Sequence, residues 1–236
     1  MKKAFLFLAG LVLISQVTLI SNLGAQAFSK GAFIISLSEG STQAHYTTTR
    51  TDGYHTKEND GNIDGDRDPL TLEYGLSKQW GIGVNLGGDI LRVDAKKHYD
   101  LTTAQKQVNV ITSEATVDVH YHYLVSERTD LSVFGSVGLA GVILKGNEGD
   151  RDYQYVSSGS LLRLGTQARQ YLTKRFGIHG MLSVYAANCA MADTKHNTIA
   201  TNTATNIKGY ALEFGICYRL RGVKPASSNQ TPKFKS

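Results

Sequence analysis

The chain has 236 residues, with 25 Lys and Arg against 20 Asp and Glu, a formal net charge of +5. That balance is too mild for a nucleic-acid binder, and no basic cluster with interleaved aromatics accompanies it. Two cysteines are far from a disulfide scaffold, and Gly at 24 with Pro at only 3 sits beside recurrent Val, Ile, Thr and Tyr, a strand-rich composition.

Residues 1–27 have the layout of a secretory signal peptide. Met1-Lys2-Lys3 is the basic start, Ala4 to Ile20 the apolar run, and Ala25 and Ala27 the small positions of an A-x-A site. Ser15, Gln16 and Thr18 interrupt that run, so it falls short of the ~20 apolar residues a spanning helix needs. Cleavage after Ala27 leaves Phe28 first and 209 residues, the length of one domain. No later apolar run reaches helical spanning length, so an exported chain of this kind is a soluble periplasmic protein, an extracellular protein or a β-barrel.

Period-two alternation dominates from there on. In chain order, the expected strands begin with 31–39 (Phe33, Ile35 and Leu37 on one face), 69–78 (Leu70, Leu72, Tyr74, Leu76) and 80–94 (Trp80, Ile82, Val84, Leu86, Ile90). The clearest is 108–125, with Ile111 to Val125 apolar at odd positions and Thr112, Glu114, Thr116, Asp118, His120 and His122 at even ones. Strands at 130–145, 156–172, 176–191 and 206–221 complete a set of eight. The segment 156–172 is the least regular, with Thr166 and Gln170 on its apolar side.

The connections alternate in length. Residues 77–79, 126–129 and 173–175 read as tight turns; 40–68, 95–107, 146–155 and 192–205 read as long polar loops. This is the connectivity of an up-and-down barrel with short periplasmic turns and long external loops, both mature termini being periplasmic. The strands exceed the ~9–11 residues needed to cross a bilayer, so several should rise above the surface as a rim. A lipocalin-like soluble barrel would put the apolar face inside. The polar face, however, is rich in Gly, Ala and Ser with isolated charges, which suits a crowded lumen. Tyr74, Trp80, Tyr123, Phe176 and Tyr218 fall on the apolar face beside the short turns, where an interfacial girdle belongs. The expected fold is therefore all-β: an eight-stranded antiparallel up-and-down transmembrane β-barrel over 28–221, followed by a disordered basic tail at 222–236.

Gly65-Asp66-Arg67-Asp68-Pro69-Leu70, Trp80-Gly81-Ile82-Gly83 and the closing Tyr218-Arg219-Leu220 resemble the porin-like outer membrane protein β-barrel family of OmpA/OmpX type. The resemblance implies an outer-membrane location, insertion by the barrel-insertion machinery through the aromatic-rich last strand, and contact with outer-membrane lipids and lipopolysaccharide. It implies an architecture rather than one activity.

Polar-face positions define the candidate lumen network: Glu73, Asp89, Glu114, Asp118 and Glu213 against Arg163, Arg169 and Arg219, with His120, His122 and His179. An eight-stranded barrel has an interior that side chains fill, so these groups should pair into a plug. Counted from the turns, Glu73, His120, Asp118, Glu213, Asp89 and Arg163 form one belt, in which Arg163, its only Arg, is expected to be the central partner. The resulting expectation is an envelope-structural, non-enzymatic protein whose external loops meet an unknown ligand, with no cofactor. A narrow ion pore gated by the lumen charges is the alternative, and a lipid A-modifying enzyme using rim histidines such as His45 and His98 the third reading. Asp60, Asn62 and Asp64 match the opening of an EF-hand loop, but Thr71 stands where its closing Glu should be, so they form only a weak metal candidate.

Overall fold

The structure, a computed structural model, describes residues 27–52, 55–93, 108–148, 151–193 and 202–220. The signal segment up to residue 26 and the tail 222–236 lie outside the described residues. The strands among them are β1 (Phe33–Asp52), β2 (His55–Arg67), β3 (Leu70–Gly75), β4 (Trp80–Val93), β5 (Val108–Val125), β6 (Thr129–Glu148), β7 (Arg151–Tyr171), β8 (Phe176–Asp193) and β9 (Asn202–Leu220). All pair antiparallel, neighbour to neighbour, and β1 with β9 closes the ring.

Nine segments make eight staves. β2 and β3 are one stave interrupted at Asp68-Pro69, since Gly40↔Arg67 and Leu37↔Leu70 keep a single register against β1. The same holds against β4, through Asp64↔Arg92 and Leu70↔Leu86. Pro69 has no N–H for the ladder, but its carbonyl still accepts from Ser38 N at 3.1 Å.

Pairing also fixes the barrel's shape. From Ser36 the Cα partners run Thr71, Asn85, Thr116, Gly138, Leu161, Ala187 and Ile207, and return to Tyr46, ten residues further up β1. With eight staves, that shear gives a strand tilt of about 40° and a Cα radius of ~8 Å. The interior is thus as narrow as the sequence implied.

The apolar face points outward. Val137, Leu139, Leu162, Leu164 and Val184 are each more than half exposed, the reverse of a soluble barrel and the face a lipid bilayer requires. On β9 the outward row runs Tyr218, Ile216, Phe214, Leu212, Tyr210, about 20 Å along the barrel axis. Tyr74, Trp80, Tyr123, Phe176 and Tyr218 are all exposed at the short-turn end and form the expected girdle.

Two expectations are corrected. The segments 40–68 and 146–155 are mostly hairpin: β1 and β2 pair from Gly40↔Arg67 to Asp52↔His55, and β6 and β7 pair up to Glu148↔Arg151. Their polarity does not mark absence of strand: on the β1–β2 hairpin it lies on the outward face, at Gln43, His45, Asp60, Asn62 and Asp64, while Thr42, Ala44, Tyr46, Ile63 and Arg67 are buried in the lumen. Gln170 keeps the apolar side, in register with exposed Ile178, yet is itself buried, with Thr129 Oγ1 donating to its Oε1 at 2.8 Å.

Candidate functional site

Inward residues stack in layers along the axis. At the lower mouth, Ala27 N donates to the Ser126 carbonyl at 2.8 Å, and a turn at Gly31, whose φ of 76° suits glycine, leads into β1. Phe28 is fully buried, its ring stacked on His122 at 3.5 Å between centroids.

Directly above Phe28 lies a closed ring of four side chains. His122 sets Nε2 at 2.8 Å from Glu73 Oε1 and Nδ1 at 2.7 Å from Asp130 Oδ1. Arg169 donates from Nη1 to Asp130 Oδ2 at 3.1 Å and from Nη2 to Glu73 Oε2. A carboxylate at each ring nitrogen is satisfied when both nitrogens donate, the imidazolium form. Two cations then balance two anions, which is what burial of such groups demands.

The second cluster lies higher. Arg67 is fully buried and donates from Nε to Glu213 Oε1 at 2.7 Å, from Nη1 to Asp89 Oδ1 at 3.1 Å, and to both oxygens of Glu114. Arg163 Nη2 shares Glu114 Oε2, and Thr112 Oγ1 donates to Asp89 Oδ2 at 2.8 Å. Three carboxylates face two guanidinium groups.

Between the clusters is a polar layer with Asp118, His120, Gln167 and Ser183. Thr116 Oγ1 donates to Asp118 at 2.7 Å, while His120 stacks beside Phe134 at 5.3 Å. Both nitrogens of His120, Gln167 Oε1, Ser183 Oγ and Glu213 Oε2 have no hydrogen-bond partner among the described residues. Above the upper cluster the lumen turns apolar: Tyr46, Ile63, Leu91, Val142 and Ile207 pack with Ala44, Ala140, Ala187 and Cys189. A cavity of about 20 Å³ lies beneath them, against Asp89 and Glu114.

The sequence-derived network is therefore largely brought together, with three corrections. First, the belt is split, because Glu73, bound to Arg169, sits a full layer below Asp89, Arg163 and Glu213. Second, Arg163 is not the central partner. Arg67 is, in a segment whose sequence reads as a loop; Asp130, the second residue of β6, is a further member that the polar-face inventory lacks. The inward parity of Glu73 and Thr71, carried through Pro69, leads to Arg67 and was the available signal. Third, Arg219 stays outside the network at the lower mouth, donating to the Lys174 carbonyl at 2.6 Å and lying 4.9 Å over the Tyr171 ring.

Asp60, Asn62 and Asp64 do not form a calcium loop. They alternate along β2 on its exposed face, and an extended strand cannot wrap an ion as a coiled loop does. His45 Nδ1 meets Asn62 Oδ1 at 3.1 Å and its Nε2 lies 3.7 Å from Asp60; His98 falls outside the described residues. A Ser–His contact does exist, Ser38 Oγ to His179 Nε2 at 2.7 Å, but inside the lumen, away from lipid. Cys189 and Cys217 are free and buried at opposite ends of neighbouring strands.

An outward apolar belt, an aromatic girdle and a lumen packed with paired charges define the outer-membrane type of eight-stranded β-barrel. Among solved structures the chain is similar in fold to the outer membrane protein OprG of Pseudomonas aeruginosa, with a TM-score of 0.53 at 12% identity, covering 83% of this chain and 99% of that one. Ail, the attachment invasion locus protein of Yersinia pestis, aligns with a TM-score of 0.43 at 14% identity over 81% of this chain and 99% of its own. No protein-family model and no curated protein matches the sequence. The likeness to OprG carries the fold alone.

Proposed function

We propose that the protein is a non-enzymatic structural barrel of the outer membrane, sealed along its axis and acting through its outer surface. Long strands face outward from the cell and both mature termini face the periplasm. Support for this orientation comes from the girdle at the short-turn end and the polar outward face of the β1–β2 hairpin, matching short periplasmic turns and long external loops. The observation that carries the sealed lumen is the stack of barriers: Phe28, the Glu73–His122–Asp130–Arg169 ring, the Arg67 cluster and the apolar layer. Ions entering would have to break buried pairs and then cross an unwetted segment. Single-channel recording of the refolded barrel in planar bilayers tests this; large stable openings would refute it.

A narrow pore is the second reading. It is favoured by the unpartnered donors and acceptors between the clusters, a layer suited to ordered water. On this reading the clusters act as gates, and conductance appears only when one is weakened.

A further inference from the structure

We infer that the outward face of β7, β8 and β9 holds a docking groove for a phosphorylated lipid of the outer leaflet, with Lys208 as the phosphate partner. This rests on the orientation proposed above.

Three cross-strand rows carry the inference. The lowest, Leu164–Val184–Tyr210, is apolar and ends in an interfacial aromatic. The next is Leu162–Ala186–Lys208, and above it comes Ser160–Asn188–Asn206. All nine side chains are exposed, so within three rows the surface passes from hydrocarbon-like to neutral hydrogen-bonding, with one ammonium at the boundary. Ala186, the smallest in its row, leaves a groove of about 380 Å³ lined also by Val137 and Leu162 below and by the polar row above. Among the described residues, Ser160, Asn188, Asn206 and Lys208 have no hydrogen-bond or ion-pair partner within the chain.

The arrangement matches an amphiphile rather than a soluble anion. An acyl chain can lie over Ala186 between Val137 and Leu162, and its head then reaches the level of Lys208. A phosphate there would take a charge-assisted bond from the ammonium and neutral bonds from the Asn amides and Ser160. At the outer leaflet the lipid with this chemistry is a phosphorylated glycolipid of the lipid A kind. The far side of β9 sets a limit. Lys208 pairs in register with His45, and beyond it the outward face of β1 and β2 carries Glu39, Glu58, Asp60, Asp64, Asp66 and Asp68, all exposed. Anionic lipid should therefore settle on the β7–β9 side and avoid the hairpin side.

The test uses the refolded chain in detergent, titrated with bisphosphorylated lipid A, dephosphorylated lipid A and inorganic phosphate, with bound species counted by native mass spectrometry. One lipid should be retained in preference. Dephosphorylation, Lys208→Gln or groove-filling Ala186→Trp should each weaken retention about tenfold, the loss of one charge-assisted contact, and inorganic phosphate should not compete at equal concentration. Heat-dependent gel migration shows whether each variant folds. Equal retention of both lipids, or folded Lys208→Gln binding as the parent does, overturns the site. Equal binding of inorganic phosphate overturns the lipid assignment. Detergent binding does not depend on orientation, so protease mapping on whole cells reports that separately: cuts confined to the short turns overturn the outer-leaflet placement even where lipid binds.

Discussion

Arg67 and Glu213 stand 146 positions apart, yet Arg67 Nε donates to Glu213 Oε1 at 2.7 Å with both side chains fully buried. They belong to staves on either side of β1, so this pair can form only once β9 has closed the ring. Arg67→Ala would leave Asp89, Glu114 and Glu213 with Arg163 alone. Removing one partner of a buried pair typically costs about 3–5 kcal/mol. Arg163→Ala leaves Glu114 its bonds from Arg67 and should cost about 1.5–3 kcal/mol, one hydrogen bond to a charged group. Unfolding midpoints in detergent check the order: Arg67→Ala must fall well below Arg163→Ala, and the reverse would mean the upper cluster is wrongly centred.

The lower ring makes a different demand. His122 bridges Glu73 and Asp130, so His122→Ala strands two carboxylates on Arg169. His122→Gln, with one side-chain amide to donate, can serve one of them. Destabilisation should be about 2–3 kcal/mol for His122→Ala and near half of that for His122→Gln, as expected for buried hydrogen bonds to charge. In a double-mutant cycle with Glu73→Gln, the two substitutions should couple rather than add. Additivity would show that the ring does not act as a unit.

These two clusters differ in how legible they were. Alternation in 108–125 placed Glu114, Asp118, His120 and His122 on the inward face, and the structure agrees residue by residue. Asp64-Gly65-Asp66-Arg67-Asp68-Pro69 instead has the acids, glycine and proline of a loop, and nothing local makes it a strand. It becomes one because β1 and β4 supply ladders on both sides, an effect of closure that single-segment propensity does not contain. The division into two layers was hidden for the same reason. Heights counted from each turn ignore the shear, which raises each stave relative to its neighbour. Nothing in the sequence singles out Lys208; only the Ala186↔Lys208 and Asn188↔Asn206 pairings show what lies beside it.

Closure of the seam offers a third expectation. A Cβ on Gly215 would lie 1.9 Å from the Leu37 carbonyl oxygen, a backbone atom across the β1–β9 junction. Backbone cannot step aside as a flexible side chain does, so Gly215→Ala must push the two strands apart where the ring shuts. We expect a loss of about 3 kcal/mol, at the upper end of overpacking costs, with slower appearance of the fast-migrating folded band on unboiled gels. Gly135→Ala is the control, since its Cβ would meet only a Leu164 methyl at 3.3 Å. Equal folding of both variants would show that the seam is looser than these strands are drawn.

The last expectation concerns conductance, where barriers in series behave unlike a single gate. If Arg163 alone plugged the barrel, Arg163→Ala would open it. With Arg67 still holding Glu114, and with the lower ring and the apolar layer intact, Arg163→Ala should conduct no more than the parent. Arg67→Ala removes one barrier but leaves the layer around Tyr46, Ile63, Leu91 and Ile207, through which ions must shed water. It should stay nearly closed as well. Pairing Arg67→Ala with Leu91→Asn wets that layer while avoiding a new charge, and brief small openings should then appear over the ring. Planar-bilayer recording separates the cases. Openings in Arg163→Ala alone would mean that the upper cluster is the only barrier, which is the gated-pore reading, and large stable openings in the parent would show that neither cluster closes the lumen.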